Sequence, residues 1–300
     1  MEIKNGKQIY EVGDLVGKNG IYRLFICVQK ESGRQCLLQI ATSVENNGRL
    51  DRMAYLLHNL DKRAGELEKK FRDINPGKEL NYNLGFPELV DSFIHTAQAG
   101  CRINILAFRC VDDVSSVVPL INITAKDRLC VDLRTSAWIM GKTLKLLSFT
   151  QSESIAVNVV NSNNILVVPD NHYVLLFNLT AAEILAEGTP VPMEVRIQEI
   201  SQAAKAIITV LGGDWKTNFI PNDGDEPFQL YVDCMLERKK DEGNEGVKKY
   251  CQEAFALYAN FLFRLANGNE SDALRAHRDF YEIVDRLWKR EYYPFTTKTL

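Results

Sequence analysis

The amino-acid sequence predicts an α+β chain of two lobes: a small antiparallel β-sheet lobe with one long helix, then a larger, mainly helical lobe. Length is the first reason, because 300 residues is about twice the size typical of one domain. The second is a change of period. Apolar residues come in short, turn-bounded runs as far as residue 41, and from Leu50 they recur every three or four positions. The third is that most of the chain after residue 111 carries helical spacing, one strand-rich island excepted. The predicted division is a first lobe over 1–110 and a second over 111–300.

Residues 9–41 read as an antiparallel meander. Residues 21–28 form one strand, Ser32-Gly33-Arg34 turns the chain, and 35–41 return. Leu50, Met53, Leu57, Leu60, Ala64, Leu67, Phe71 and Ile74 share one stripe of a helix over about 50–74, which Pro76-Gly77 closes. Residues 86–95 and 102–111 follow as strands joined by Ala97-Gln98-Ala99-Gly100. In the second lobe, 136–149 are apolar on most sides and predict a buried helix. The strand-rich island is 155–178, and 199–211 form another apolar helix. Three amphipathic helices are expected over 228–239, 247–266 and 270–290.

Composition excludes several classes. With 46% hydrophobic and 25% charged residues the chain is neither disordered nor fibrous. A net charge of −3 gives no basic face for a nucleic-acid backbone, so no nucleic-acid partner is expected. The amino terminus lacks the apolar stretch of a secretory signal. No window approaches the roughly 18 apolar residues of a membrane span, because 203–211 is broken by Lys205 and ends at Gly212-Gly213. Seven cysteines, at 27, 36, 101, 110, 130, 234 and 251, are odd in number and lack C-x-x-C spacing. They read as reduced core thiols of a cytoplasmic protein.

Particular segments carry a family resemblance. Val16-Gly17-Lys18-Asn19-Gly20-Ile21-Tyr22 resembles the glycine-rich loop of protein kinases, whose bare backbone N–H groups receive phosphate. Gly17 matches the first glycine, Asn19 replaces the second with Gly20 beside it, and Tyr22 replaces the third. Gly33 to Ile40 is similar to the family's G-x-x-V-A-I-K run, with Gln39 at the lysine. Asn164-Ile165-Leu166 resembles the end of the catalytic loop H-R-D-L-x-x-x-N-I-L, which sets Val157, Asn158 and Val159 at His, Arg and Asp. Fourteen positions later, Asn178-Leu179-Thr180 stands at the D-F-G triplet. Glu199 opens a segment similar to the buried helix after the activation segment, where an Asp is usual. The resemblance covers about 10–215 and implies a bilobal protein-kinase-like fold, with a degenerate catalytic-loop hairpin at about 155–180.

The departures bear on chemistry. Phosphoryl transfer needs a cation on the triphosphate, carboxylate on Mg²⁺, and a carboxylate for the attacking hydroxyl. Gln39 can hydrogen-bond phosphate without neutralising it. Asn178 offers a neutral oxygen where Mg²⁺ prefers an anion, and Val159 has no heteroatom at all. Asp51, Asp61, Glu66 and Glu68 are the helix acids open as partners for position 39. His277-Arg278-Asp279 spells the catalytic triplet, but Val284 stands where its Asn should follow, so it reads as helix surface.

The expectation is a pseudokinase without catalytic residues, without a metal and without a resident cofactor. Gly17, Gly20, Gln39, Asn164 and Asn178 are the candidates for lining a degenerate nucleotide cleft. The implied function is an inactive kinase-like interaction or regulatory module in signalling or complex assembly. Its protein partners would meet the helix over 50–74 or the aromatic carboxy terminus, Trp288, Tyr292, Tyr293 and Phe295. Two alternatives stay open: a nucleotide-sensing switch that binds ATP weakly without phosphotransfer, and an atypical transferase. The asparagines at 158, 161, 163 and 164 read either as loop-forming residues or as a remodelled polar pocket.

Overall fold

The computed structural model describes residues 1–221, 243–288 and 294–299. The chain divides into two compact units, one of 1–117 with 175–184 and one of 118–174 with 185–300.

The first unit is built on one antiparallel sheet. Its strands are β1 (Glu2–Asn5), β2 (Gln8–Lys18), β3 (Tyr22–Gln29) and β4 (Gln35–Ala41), then, after helix α1 (Asn47–Ile74), β5 (Glu88–His95) and β6 (Cys101–Ala107). They lie in the order β1-β2-β3-β4-β6-β5. The meander reading missed β1, which is four residues long and buries only Ile3; so short a run shows no usable period. Register breaks at Val12/Leu15, Leu15/Gly17 and Leu89/Asp91 bend the strands. The sheet curls until its edges meet: Asn5 Nδ2 on β1 donates to both carboxylate oxygens of Asp91 on β5, at 3.0 and 2.9 Å. Tyr10 OH donates to the same carboxylate at 3.0 Å. Tyr10, Cys27, Cys36, Leu38, Ile103 and Ile105 belong to the buried core of this sheet.

Helix α1 packs on β5 and β6. Leu50, Met53, Leu57, Leu60 and Ala64 of the expected stripe are buried, joined by Leu56. Leu67 and Phe71 are half-buried, and Ile74 is 79% exposed. The 28 residues of α1 span about 42 Å at 1.5 Å each, longer than the seven- or eight-residue strands they cover. The overhanging turns are held by Glu68, which accepts the N–H groups of Leu80 and Asn81 at 2.9 and 2.8 Å and pairs with Arg72 at 3.0 Å.

The second unit begins with β7 (Val118–Pro119) and β8 (Leu129–Val131), followed by α2 (Leu133–Ser152), β9 (Ile155–Ala156) and β10 (Ile165–Val168). Strand β11 (Tyr173–Leu176) leads into the 175–184 segment, which ends in β12 (Glu183–Ile184). Helices α3 (Met193–Val210), α4 (Gly243–Ala266) and α5 (Ala273–Trp288) follow, then β13 (Thr297–Thr299). Strand β10 pairs antiparallel with β7, and β13 with β8. The expected helix over 228–239 lies outside the described residues.

Helix α2 is buried on most sides, as its apolar sequence predicts. Asp132 caps it, accepting from the N–H groups of Arg134 (2.8 Å) and Thr135 (3.2 Å). Gly141 lets α5 approach: a methyl there would overlap the Phe280 ring. Asp279, of the catalytic-looking triplet, lies on α5 and pairs with Arg264 of α4 at 2.7 Å. Among the described residues no helix is long and apolar enough to cross a membrane.

Candidate functional site

The turn over 17–22 satisfies itself. Asn19 Oδ1 accepts from the N–H groups of Ile21 (2.8 Å) and Tyr22 (2.9 Å), and the Asn19 N–H donates to Tyr22 O at 3.0 Å. The short carboxamide of Asn reaches backbone two residues on, so this turn follows from its residue type. The Gly20 carbonyl accepts from Thr42 Oγ1 at 2.9 Å and Asn46 Nδ2 at 3.3 Å, fastening the turn to the residues before α1. Neither Gly17 nor Gly20 has a positive φ; a Cβ at Gly20 meets nothing within 4 Å, and one at Gly17 meets Leu24 at 3.7 Å. The fold therefore does not require glycine at either place. Tyr22 packs into the sheet core, and burial pushes its hydroxyl up to about 12.

Gln39 on β4 stands opposite Asn104 on β6, and both are fully buried. Asn104 Nδ2 donates to Gln39 Oε1 at 3.3 Å and to Leu50 O, in the first turn of α1, at 3.0 Å. Asn104 Oδ1 accepts from Ser92 Oγ at 2.7 Å, Ser92 Oγ accepts from Arg102 Nη1 at 2.8 Å, and Arg102 Nη2 pairs with Asp51 at 2.9 Å. This row is charged at its solvent end and neutral at its buried end. Such a gradient follows from the cost of burying charge. The other three candidate acids are likewise held by arginine: Asp61 by Arg109 (2.9 Å), Glu66 by Arg63 (2.6 Å) and Glu68 by Arg72.

In the second unit, α3 shapes the loop over 157–160. Glu199, fully buried, accepts the N–H groups of Val157 (2.5 Å) and Asn158 (2.9 Å) and the amide of Gln151 (3.0 Å). Burial pushes its carboxyl above the usual range despite these three donors. One turn on, Gln202 Oε1 accepts the Val160 N–H at 2.7 Å. Asn158 takes a left-handed φ of 65°, a conformation asparagine tolerates. Asn164 is buried and donates from Nδ2 to Val159 O at 2.6 Å, while Asn161 Oδ1 accepts the Asn163 N–H at 3.1 Å. The loop-forming reading of this asparagine cluster thus accounts for these contacts.

Asn178 Oδ1 accepts from the N–H (3.1 Å) and the hydroxyl (2.7 Å) of Thr180. Gly17, Gly20, Gln39 and Asn178 belong to the first unit, and Asn164 to the second. Among the described residues no group of three or more His, Cys, Asp or Glu side chains is placed to hold a metal ion. Sequence reasoning missed Asn104, Thr42, Asn46 and Gln202. Asn104 alone left a trace, as a polar residue inside the apolar run Ile103-Asn104-Ile105-Leu106.

No family model matches the chain, and no curated protein matches it. Among solved structures it is similar to the crystal structure of the PF14_0431 kinase domain. That likeness covers 92% of this chain and 94% of that one, with a TM-score of 0.55 and 10% sequence identity. The chain has a kinase-like fold, an antiparallel amino-terminal sheet followed by a mainly helical carboxy-terminal part.

Proposed function

We propose that this protein is a catalytically inactive kinase-fold interaction module. The observation that carries the reading is Gln39. The side chain at the expected phosphate-pairing position is neutral, fully buried and bound to Asn104 rather than to an acid of α1. Three further features support it. Asn19 takes up two N–H groups of the turn that would otherwise be free for phosphate. Positions 159 and 178 carry Val and Asn in place of carboxylates, and loss of a general base alone costs roughly 10²–10⁴ in rate. Helix α1 leaves Arg52, Tyr55, His58 and Lys62 exposed, Tyr55 by 63%, as a surface for a protein partner.

Incubating the full chain with labelled ATP, Mg²⁺ and general protein substrates tests the reading; it predicts no incorporation into substrate or into the chain itself. Labelled phosphate or nucleotide on either would favour an atypical transferase. One observation favours the nucleotide-sensing alternative: Gln39 Nε2 is buried without an acceptor. Saturable ATP binding without transfer would select it.

A further inference from the structure

Strand β13 occupies a place that is better built than its occupant. On the receiving side, Cys130, Val131, Asp132 and Thr135 are buried. Thr135 Oγ1 donates to Asp132 Oδ2 and accepts the Thr296 N–H at 3.1 Å, and the Asp132 N–H donates to Thr296 O at 3.2 Å. The backbone N–H and C=O of Thr296 are therefore held by one acceptor and one donor. Beyond it the pairs Thr297↔Val131, Lys298↔Cys130 and Thr299↔Leu129 continue the ladder. Before it, the Phe295 ring meets Trp138 edge-on with centroids 6.2 Å apart, and His172 stacks on Trp138 at 4.9 Å. On the occupant's side, Phe295 is only half-buried, and Thr297 and Thr299 are exposed.

We propose that the β8 edge, with Asp132, Thr135 and Trp138, is a docking site for an extended peptide segment of a partner protein, and that residues 295–299 fill it as a displaceable strap. Strand addition draws its affinity from main-chain hydrogen bonds and its selectivity from one side-chain anchor. Here the anchor position asks for an aromatic residue one place before the residue whose N–H and C=O are held. The threonines at 297 and 299 point to solvent, so this side demands no particular residue after the anchor. A strap of three ladder pairs and one half-buried ring belongs to the low-stability end of a structure, where local opening occurs without global unfolding. The inference rests on the interaction-module reading, but its test does not register catalysis, so either can fail alone.

The test uses the full chain and a fluorescent peptide, Pro-Phe-Thr-Thr-Lys-Thr-Leu, followed by anisotropy. Phe295→Ala in the chain weakens the strap and raises the open fraction, so the peptide should bind that variant at least about fivefold more tightly than wild type. An alanine in place of the peptide's Phe, or Thr135→Val added to the chain variant, should weaken binding at least about fivefold. Amide exchange should show new protection at 129–131. No saturable binding to Phe295→Ala, equal affinity of the two chains, or indifference to the peptide's Phe would each overturn the proposal. A dimer formed by exchange of this segment would assign the site to a second copy and also overturn it. Exchange in the unmodified chain gives a check free of folding effects. The amides of 296–299 should exchange at least about 100-fold faster than those at the centre of α2, and equal rates would overturn the proposal.

Discussion

Replacing Glu199 tests whether one buried carboxylate organises the 157–160 loop. With alanine, the N–H groups of Val157 and Asn158 and the amide of Gln151 lose an acceptor that is itself fully buried. Each orphaned donor costs about 1–3 kcal/mol, partly offset by no longer burying a charge. Glu199→Ala should therefore lose roughly 3–5 kcal/mol, a large share of the ~5–15 kcal/mol that stabilises a folded protein. Glu199→Gln keeps an acceptor oxygen and should lose only ~1–2 kcal/mol. The pH dependence separates charge from shape. Because burial raises the Glu199 carboxyl above the ordinary glutamate value of 4.5, the folded state holds the proton more tightly than the unfolded state. The stability due to this proton is full below about pH 4.5 and is lost as pH rises through the folded value. Urea unfolding of the wild type and Glu199→Gln from acid to neutral pH gives that component by difference, since other groups cancel. The wild type's advantage should shrink as pH rises. An advantage that is constant or grows with pH, or a Glu199→Ala loss under ~1 kcal/mol, would refute the reasoning.

Other substitutions probe the remaining parts. Gln39→Lys places an ammonium where Asn104 is already engaged and Asp51, Asp61, Glu66 and Glu68 of α1 are held by arginines; it should cost at least about 3 kcal/mol in thermal unfolding, and an unchanged Tm would show that position 39 is open to charge. Gly141→Ala should cost ~1–3 kcal/mol by forcing α2 away from Phe280, whereas an unchanged Tm would mean that α5 shifts freely. Gly20→Ala should stay within about 0.5 kcal/mol of wild type, since nothing lies near the new methyl; a larger loss would reveal a conformational demand for glycine.

The architecture was legible where periodicity ran long enough. The three-and-four spacing from Leu50 located α1, and the all-round apolar stretch over 136–149 located α2, because burial on one face or on all faces leaves its mark on the residue pattern. Two things escaped. Strand β1 is too short for a period, and its partner across the sheet, Asp91, is one acid among many until the curl brings Asn5 to it. At the candidate site, Gln39 stood out because it replaces an expected lysine. Its partner Asn104 is 65 residues away, and nothing local marks that pairing. Asn19 was read as the loss of a glycine, while its positive role, capturing two N–H groups, depends on a turn geometry that only coordinates display. Helix α1's last turns show the reverse error: Ile74 fits the apolar stripe, but the sheet beneath has ended.

Thermal unfolding of the full chain in millimolar ATP, with and without Mg²⁺, tests the central claim most directly. A ligand present at 100-fold its Kd stabilises by about 2.7 kcal/mol, a shift of several degrees that is easily read. The proposed inactive module should melt at the same temperature in every condition. A rise in Tm that requires both ATP and Mg²⁺ would contradict the account, because it would mean that a metal-bound polyanion finds countercharge on this chain.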